Sequence, residues 1–289
     1  MNTTTIAGTN RLPHKIDTGT DATIPIDPRI SFDVPQIDQR LAPVVISSDL
    51  ISIGSLPKCG KQALALNVLR GTTIRLGNSA TYISTRSTPE DLTIRFRSAI
   101  EGRTLKEIRQ ETYLTADEIV RRHYEGSHPD VEPPSCKIER IRGDAEVALQ
   151  RTREVIDEHQ AEVVILDNVS RLRSEVSDRS IREISLSQTV SELKELALDK
   201  NVVIVLLHDI RETSRSGLPL AVDSHGCRNV AVYSDYAIVA DRNPSLDLRV
   251  STETKVPKVL RVEMAKRCEP FDVACNWQPS LSRFQGRDE

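Results

Sequence analysis

Aromatic residues are scarce: four Phe, five Tyr and one Trp make up 3% of 289 residues. The core must therefore rest on Leu, Ile, Val and Ala. No apolar run approaches the roughly 20 residues that cross a bilayer as a helix, so a membrane-spanning helix is not expected. The opening Met1-Asn-Thr-Thr-Thr-Ile-Ala-Gly-Thr-Asn10 lacks the basic and apolar regions of a secretory signal. The five cysteines are odd in number and form no CxxC pair. That points to free thiols in a reducing cytoplasm, and with scattered histidines it argues against structural zinc. Strong charge of one sign is also missing. A net charge of −3 excludes a wholly basic DNA-coating protein but leaves room for a local basic patch. No internal repeat is present.

What the chain does have is alternation of apolar strands with helical segments. Residues 1–28, rich in Thr, Asp, Pro and Gly, read as a mobile tail. Residues 29–48 carry short apolar pieces. Strands are expected at 49–54, 80–84, 162–167, 201–207 and 236–240, with a terminal hairpin over 259–264 and 271–277. Helices are expected at 63–69, 89–100, over most of 103–126, and at 145–159 and 180–198. Residues 128–134 form a proline-rich break, and 209–229 read as a loop rich in Arg, Ser and Gly. This order implies an α/β fold with a mostly parallel sheet covered on both faces. Residues 29–285 then form one domain, and 286–289 a short tail.

The most informative segment is Ser55-Leu-Pro-Lys-Cys-Gly-Lys-Gln62. It lies between an apolar strand and an apolar helix, the context in which a glycine-lysine loop cradles phosphates with its backbone N–H groups. Lys61 would reach the outer phosphates. The glycine that opens such loops is Ser55 here, and the hydroxyl residue that closes them is Gln62. Cys59 reads as a small loop filler.

The order of these pieces resembles the ATPase domain of the DnaB-type replicative helicases, within the RecA-like fold, over roughly residues 30–285. Residues 50–67 look like that family's strand, loop and helix, and Val163-Val-Ile-Leu-Asp167 like its Walker B strand. Ser84-Thr-Arg-Ser-Thr-Pro-Glu-Asp-Leu-Thr-Ile-Arg95 looks like the segment around its catalytic glutamate. Residues 182–197 resemble the helix that follows Walker B, and Ala265-Lys-Arg-Cys-Glu-Pro270 with Ser282-Arg-Phe284 the terminal hairpin. The resemblance implies ATP and Mg²⁺ as cofactors, with residues 55–62 holding the nucleotide and Asp167 the metal. It puts a γ-phosphate sensor at His208 and an arginine finger acting on a neighbouring subunit at Arg267. Arg211, Arg215 and Arg228 would track single-stranded DNA from a channel loop.

Two departures fall on the chemistry. Gln62 stands where a hydroxyl ligates Mg²⁺, and Arg86 stands where the glutamate polarises water, a task an always-protonated guanidinium cannot perform. The family's N-terminal, primase-contacting domain is not expected in this chain. Three readings follow. The first is a nucleotide-binding helicase-like protein of DNA replication or repair, working as a homo-oligomer. The second is a catalytically inactive RecA-fold protein that regulates a partner helicase. The third is a RecA-fold regulator unconnected with DNA.

Overall fold

Alternating residues of the central strands face opposite layers, because successive side chains on a strand point to opposite sides. In β5 (Val203–Asp209), Val203, Val205 and Leu207 enter one apolar cluster, and Ile204 and Leu206 enter the other. The same division splits Ile51 and Ile53 of β1 (Leu50–Ser55) from Leu50. The computed structural model describes residues 28–57, 59–172, 179–210, 230–242 and 256–286; the tail expected over residues 1–28 lies outside these apart from Pro28.

The first cluster is covered by α2 (Lys61–Arg70), α3 (Pro89–Glu101) and α5 (Ala116–Ser127). The second is covered by α6 (Ala145–His159) and α7 (Arg179–Lys200), which pack against each other. With few aromatics available, Tyr82, Tyr236, Phe32, Phe96 and Phe284 are spent at fully buried positions. The segment before β1 is more ordered than its short apolar pieces suggest. Ile30, Phe32, Val34, Ile37 and Leu41 are all core residues around α1 (Pro35–Arg40), and Asp38 accepts from the Phe32 N–H and the Ser31 hydroxyl.

The sheet has nine strands in the order β3-β2-β4-β5-β1-β6-β7-β8-β9. These include β2 (Ala80–Ser84), β3 (Cys136–Arg140), β4 (Val163–Asp167) and β6 (Tyr236–Arg242). The six strands from β3 to β6 in that order pair in parallel. From β6 onward the pairing is antiparallel, through β7 (Val256–Ala265), β8 (Phe271–Gln278) and β9 (Arg283–Gly286). The α/β, mostly parallel, RecA-like architecture with a C-terminal hairpin is as expected; β3 and β9 are additions to it.

The helical stretch expected over 103–126 is instead two helices, α4 (Leu105–Ile108) and α5. Each opens on its own capping box, Thr104 with Glu107 and Thr115 with Glu118. In each, a threonine hydroxyl accepts a backbone N–H while the glutamate returns the bond to the cap residue. Two independent starts within a dozen residues require a break between them.

Candidate functional site

The parallel half of the sheet directs the carboxyl ends of β1, β2, β4 and β5 to one edge, where α/β sheets place their ligands. A cleft of about 450 Å³ opens there, lined by Lys61, Gln62, Arg86, Asp167, Asp209 and Trp277 among others. β1 ends at Ser55, whose hydroxyl donates to the Leu56 carbonyl. Leu56 and Pro57 carry the loop outward, and Lys58 lies outside the described residues. Cys59 is buried, and its N–H donates to the Leu56 carbonyl at 3.2 Å. Gly60 is the residue preceding α2, with φ of 99°, a left-handed conformation glycine adopts without steric cost. A Cβ on Gly60 would also lie 2.9 Å from the Phe284 ring.

α2 opens on Lys61 and Gln62, with the free N–H groups of its first turn beside the cleft. The Lys61 ammonium donates to Asp209 Oδ1 at 2.6 Å, and Arg171 Nε lies 3.6 Å from Asp209 Oδ2. Burial works to raise the Asp209 carboxyl, but its bond to Lys61 and the two nearby cations outweigh this and hold it below its ordinary value. Asp167, at the end of β4, is almost fully buried. Its Oδ2 accepts from the Tyr82 hydroxyl at 2.8 Å and from Gln62 Nε2 at 2.9 Å. Burial pushes the Asp167 carboxyl up despite those two donors, and burial together with the Asp167 charge pushes the Tyr82 phenol up. The Gln62 amide also donates to Ser87 Oγ at 3.0 Å.

This donor set suits an anion at the loop but not Mg²⁺ beside Asp167. Mg²⁺ demands oxygen ligands at about 2.0–2.1 Å in octahedral array. The atom that position 62 presents to the carboxylate is an N–H donor, already seated on the oxygen a cation would need.

The remaining expected residues separate. His208 is fully buried beside Gly54 of β1 and is not among the cleft's lining residues. Neither ring nitrogen has a hydrogen-bond partner among the described residues. Burial, then the Lys61 charge, drives its pKa down to about 4, so the ring is neutral near pH 7. Arg267 sits at the turn between β7 and β8 with its guanidinium engaged within its own chain. It donates to Asp49 Oδ2 at 2.6 Å, the Tyr236 hydroxyl at 2.9 Å and the Val44 carbonyl at 3.2 Å. Asp49 precedes β1, whereas the loop follows it, so Arg267 lies about 20 Å from its own chain's cleft at roughly 3.3 Å per strand residue. Arg211, Arg215 and Arg228 fall outside the described residues.

Sequence reasoning passed over Asp209, Arg171, Tyr82 and Ser87. Asp209 had a usable signal, since an acid closing the most apolar parallel strand belongs at the ligand edge.

A left-handed glycine ahead of a helix, a lysine in its first turn and a carboxylate on the neighbouring strand end, set on this strand order, define a RecA-like α/β domain. The chain belongs to the family of the DnaB-like helicase C terminal domain, whose model matches residues 31–285. No curated protein matches the sequence. Among solved structures it is similar to an isolated ATPase domain, with TM-score 0.71 and 15% identity over 89% of this chain and 91% of that one. It is also similar to a DnaB-like replicative helicase described with its interactions with primase, with TM-score 0.68 and 14% identity over 89% of this chain and 63% of that one.

Proposed function

We propose that the cleft binds a nucleoside triphosphate and that the protein acts, as an oligomer on single-stranded DNA, within DNA replication or repair, with hydrolysis slow or lost. The observation that carries this reading is the loop geometry. Gly60 turns the chain into α2, and Lys61 is held at the mouth of the cleft by Asp209. A phosphate arriving there can take the Lys61 ammonium, leaving Arg171 to face Asp209. Slow hydrolysis follows from Arg86, which lines the cleft where the family's glutamate falls and cannot take a proton from water. Residues 55–62 are the proposed nucleotide cradle. Arg211, Arg215 and Arg228 are the proposed DNA contacts, and replacing all three with alanine tests that role through salt-dependent binding.

The tie between Gln62 and Asp167 favours a second reading, in which the domain keeps the family shape but regulates a partner helicase instead of turning over ATP. Cytoplasmic localisation belongs to both readings. A finger role for Arg267 in a neighbouring subunit would require it to leave Asp49. The deciding experiment measures ATP binding and ATP turnover by the purified chain, with and without single-stranded DNA. Binding with turnover far below the ~1–100 s⁻¹ of working phosphoryl-transfer enzymes is expected. Turnover in that range would refute the slow-hydrolysis reading, and no binding would refute the nucleotide site.

A further inference from the structure

The charges around the cleft are paired off unevenly. Lys61 and Arg171 both face Asp209, and Arg95 pairs with Asp91 at 2.8 Å. Arg86 is exposed, lines the same cleft and has no ion-pair partner among the described residues. Its position is set by the turn that ends β2. Ser84 Oγ accepts the backbone N–H groups of Arg86 at 3.2 Å and of Ser87 at 2.9 Å, folding the chain back so that residues 86 and 87 flank Gln62. On the other side of Gln62, the carboxylate oxygen that would face a cation is covered by the amide and the Tyr82 hydroxyl. The cleft thus has an uncommitted guanidinium at its rim and no open oxygen for a hard cation at its floor.

We propose that this cleft takes a nucleoside polyphosphate in its metal-free form, with Arg86 supplying to the phosphate tail the positive charge a divalent cation would bring and Gln62 closing the cation's position. The inference rests on the nucleotide reading above and adds to it the ionic form of the ligand. A guanidinium suits the task because its fixed fork of N–H groups matches two phosphate oxygens at once and its charge survives at any working pH. Lys61 and Arg86 then grip the tail from the loop side and from the β2 side. Gln62, bonded to both Asp167 and Ser87, holds the floor between them. The two departures from the family pattern become one device, since a cation at position 62 and a guanidinium at position 86 would compete for the same phosphate oxygens.

Calorimetric titration of ATP into the full chain, once in EDTA and once in excess Mg²⁺, tests this. Binding in EDTA as tight as in Mg²⁺, or tighter, is expected, because excess Mg²⁺ removes free ATP. Arg86→Ala should weaken binding in EDTA by about tenfold or more, the effect of losing about one charge-assisted hydrogen bond. Gln62→Thr should make binding tighter in Mg²⁺ than in EDTA. Affinity of the unaltered chain that rises tenfold or more on adding Mg²⁺ overturns the inference and leaves the nucleotide reading standing. So does Arg86→Ala binding in EDTA as tightly as the parent. No heat of binding in either buffer, from protein that still melts cooperatively, overturns the nucleotide reading and this inference with it.

Discussion

His208 gives a stability effect whose size and sign follow from where it sits. It is fully buried, and its pKa falls from 6.5 to about 4. On acidification the unfolded chain takes up the proton first, so the folded state loses stability as pH drops through 6.5, and the loss is complete below about 4. The full gap is worth roughly 3 kcal/mol, with no solvent screening to reduce it at a buried site. Between about pH 7.5 and about pH 5 the share already lost is roughly 2 kcal/mol. The groups that face the ring electrostatically are Lys61, which opposes its protonation, and Asp209, which favours it. Asp38 acts in the opposite sense. Burial raises its carboxyl from 3.8 to about 6, so the folded state gains from protonating it over the same range. The unaltered protein's pH profile is therefore a partial cancellation, and the informative quantity is a difference. Urea unfolding of the parent and of His208→Gln across this range should show the parent's excess stability shrinking by roughly 2 kcal/mol towards pH 5. A difference that stays flat would mean that the ring is solvated in the folded state, and the argument from burial would fail.

The other expectations concern the two ends of β1 and the cleft. Arg267→Ala should destabilise the chain by roughly 3 kcal/mol, because it leaves the almost fully buried Asp49 without its cation; unchanged urea midpoints would show that the guanidinium is free to act elsewhere. Asn67→Ala removes two bonds to the Phe284 backbone and should cost about 2–4 kcal/mol for stranding a buried N–H and a buried carbonyl, read by the same denaturation. Combining Gln62→Thr with Arg86→Glu should raise ATP turnover above that of the parent in the presence of Mg²⁺, and a steady-state assay showing no gain while ATP still binds would place the defect elsewhere.

Much of the fold was legible because its central strands are continuous apolar runs and its helices carry sharp starts. β2 and α6 fall at the expected residues, since Ala80–Ser84 is entirely buried and Asp144 caps the helix that follows it. β3 was illegible for a physical reason. As an edge strand it buries little besides Cys136, and its remaining residues, Lys137-Ile-Glu-Arg140, look like surface. The loop and the acid at the end of β4 could be read locally. The partners that decide their chemistry could not. Lys61 meets Asp209 across 148 positions, Gln62 meets Asp167 across 105, and Arg267 meets Asp49 across 218. A family pattern says which residue types should converge, but a substituted side chain such as Gln62 chooses its partners in three dimensions.

The reciprocal bonds between Asn67 and Phe284 have a consequence for how the domain is made. The phosphate loop is among the early segments to be synthesised, yet its glycine packs on a ring 217 positions or more downstream. At about 5–20 residues per second on the ribosome, those residues follow after roughly 10–40 s. For that interval the loop exists without its backing, and α2 has an unpaired amide on the face that will meet β9. A nascent chain halted before residue 284 would thus carry every residue of the loop without the wall that shapes it. Competence to hold a ligand should arrive in one step, as the last strand docks.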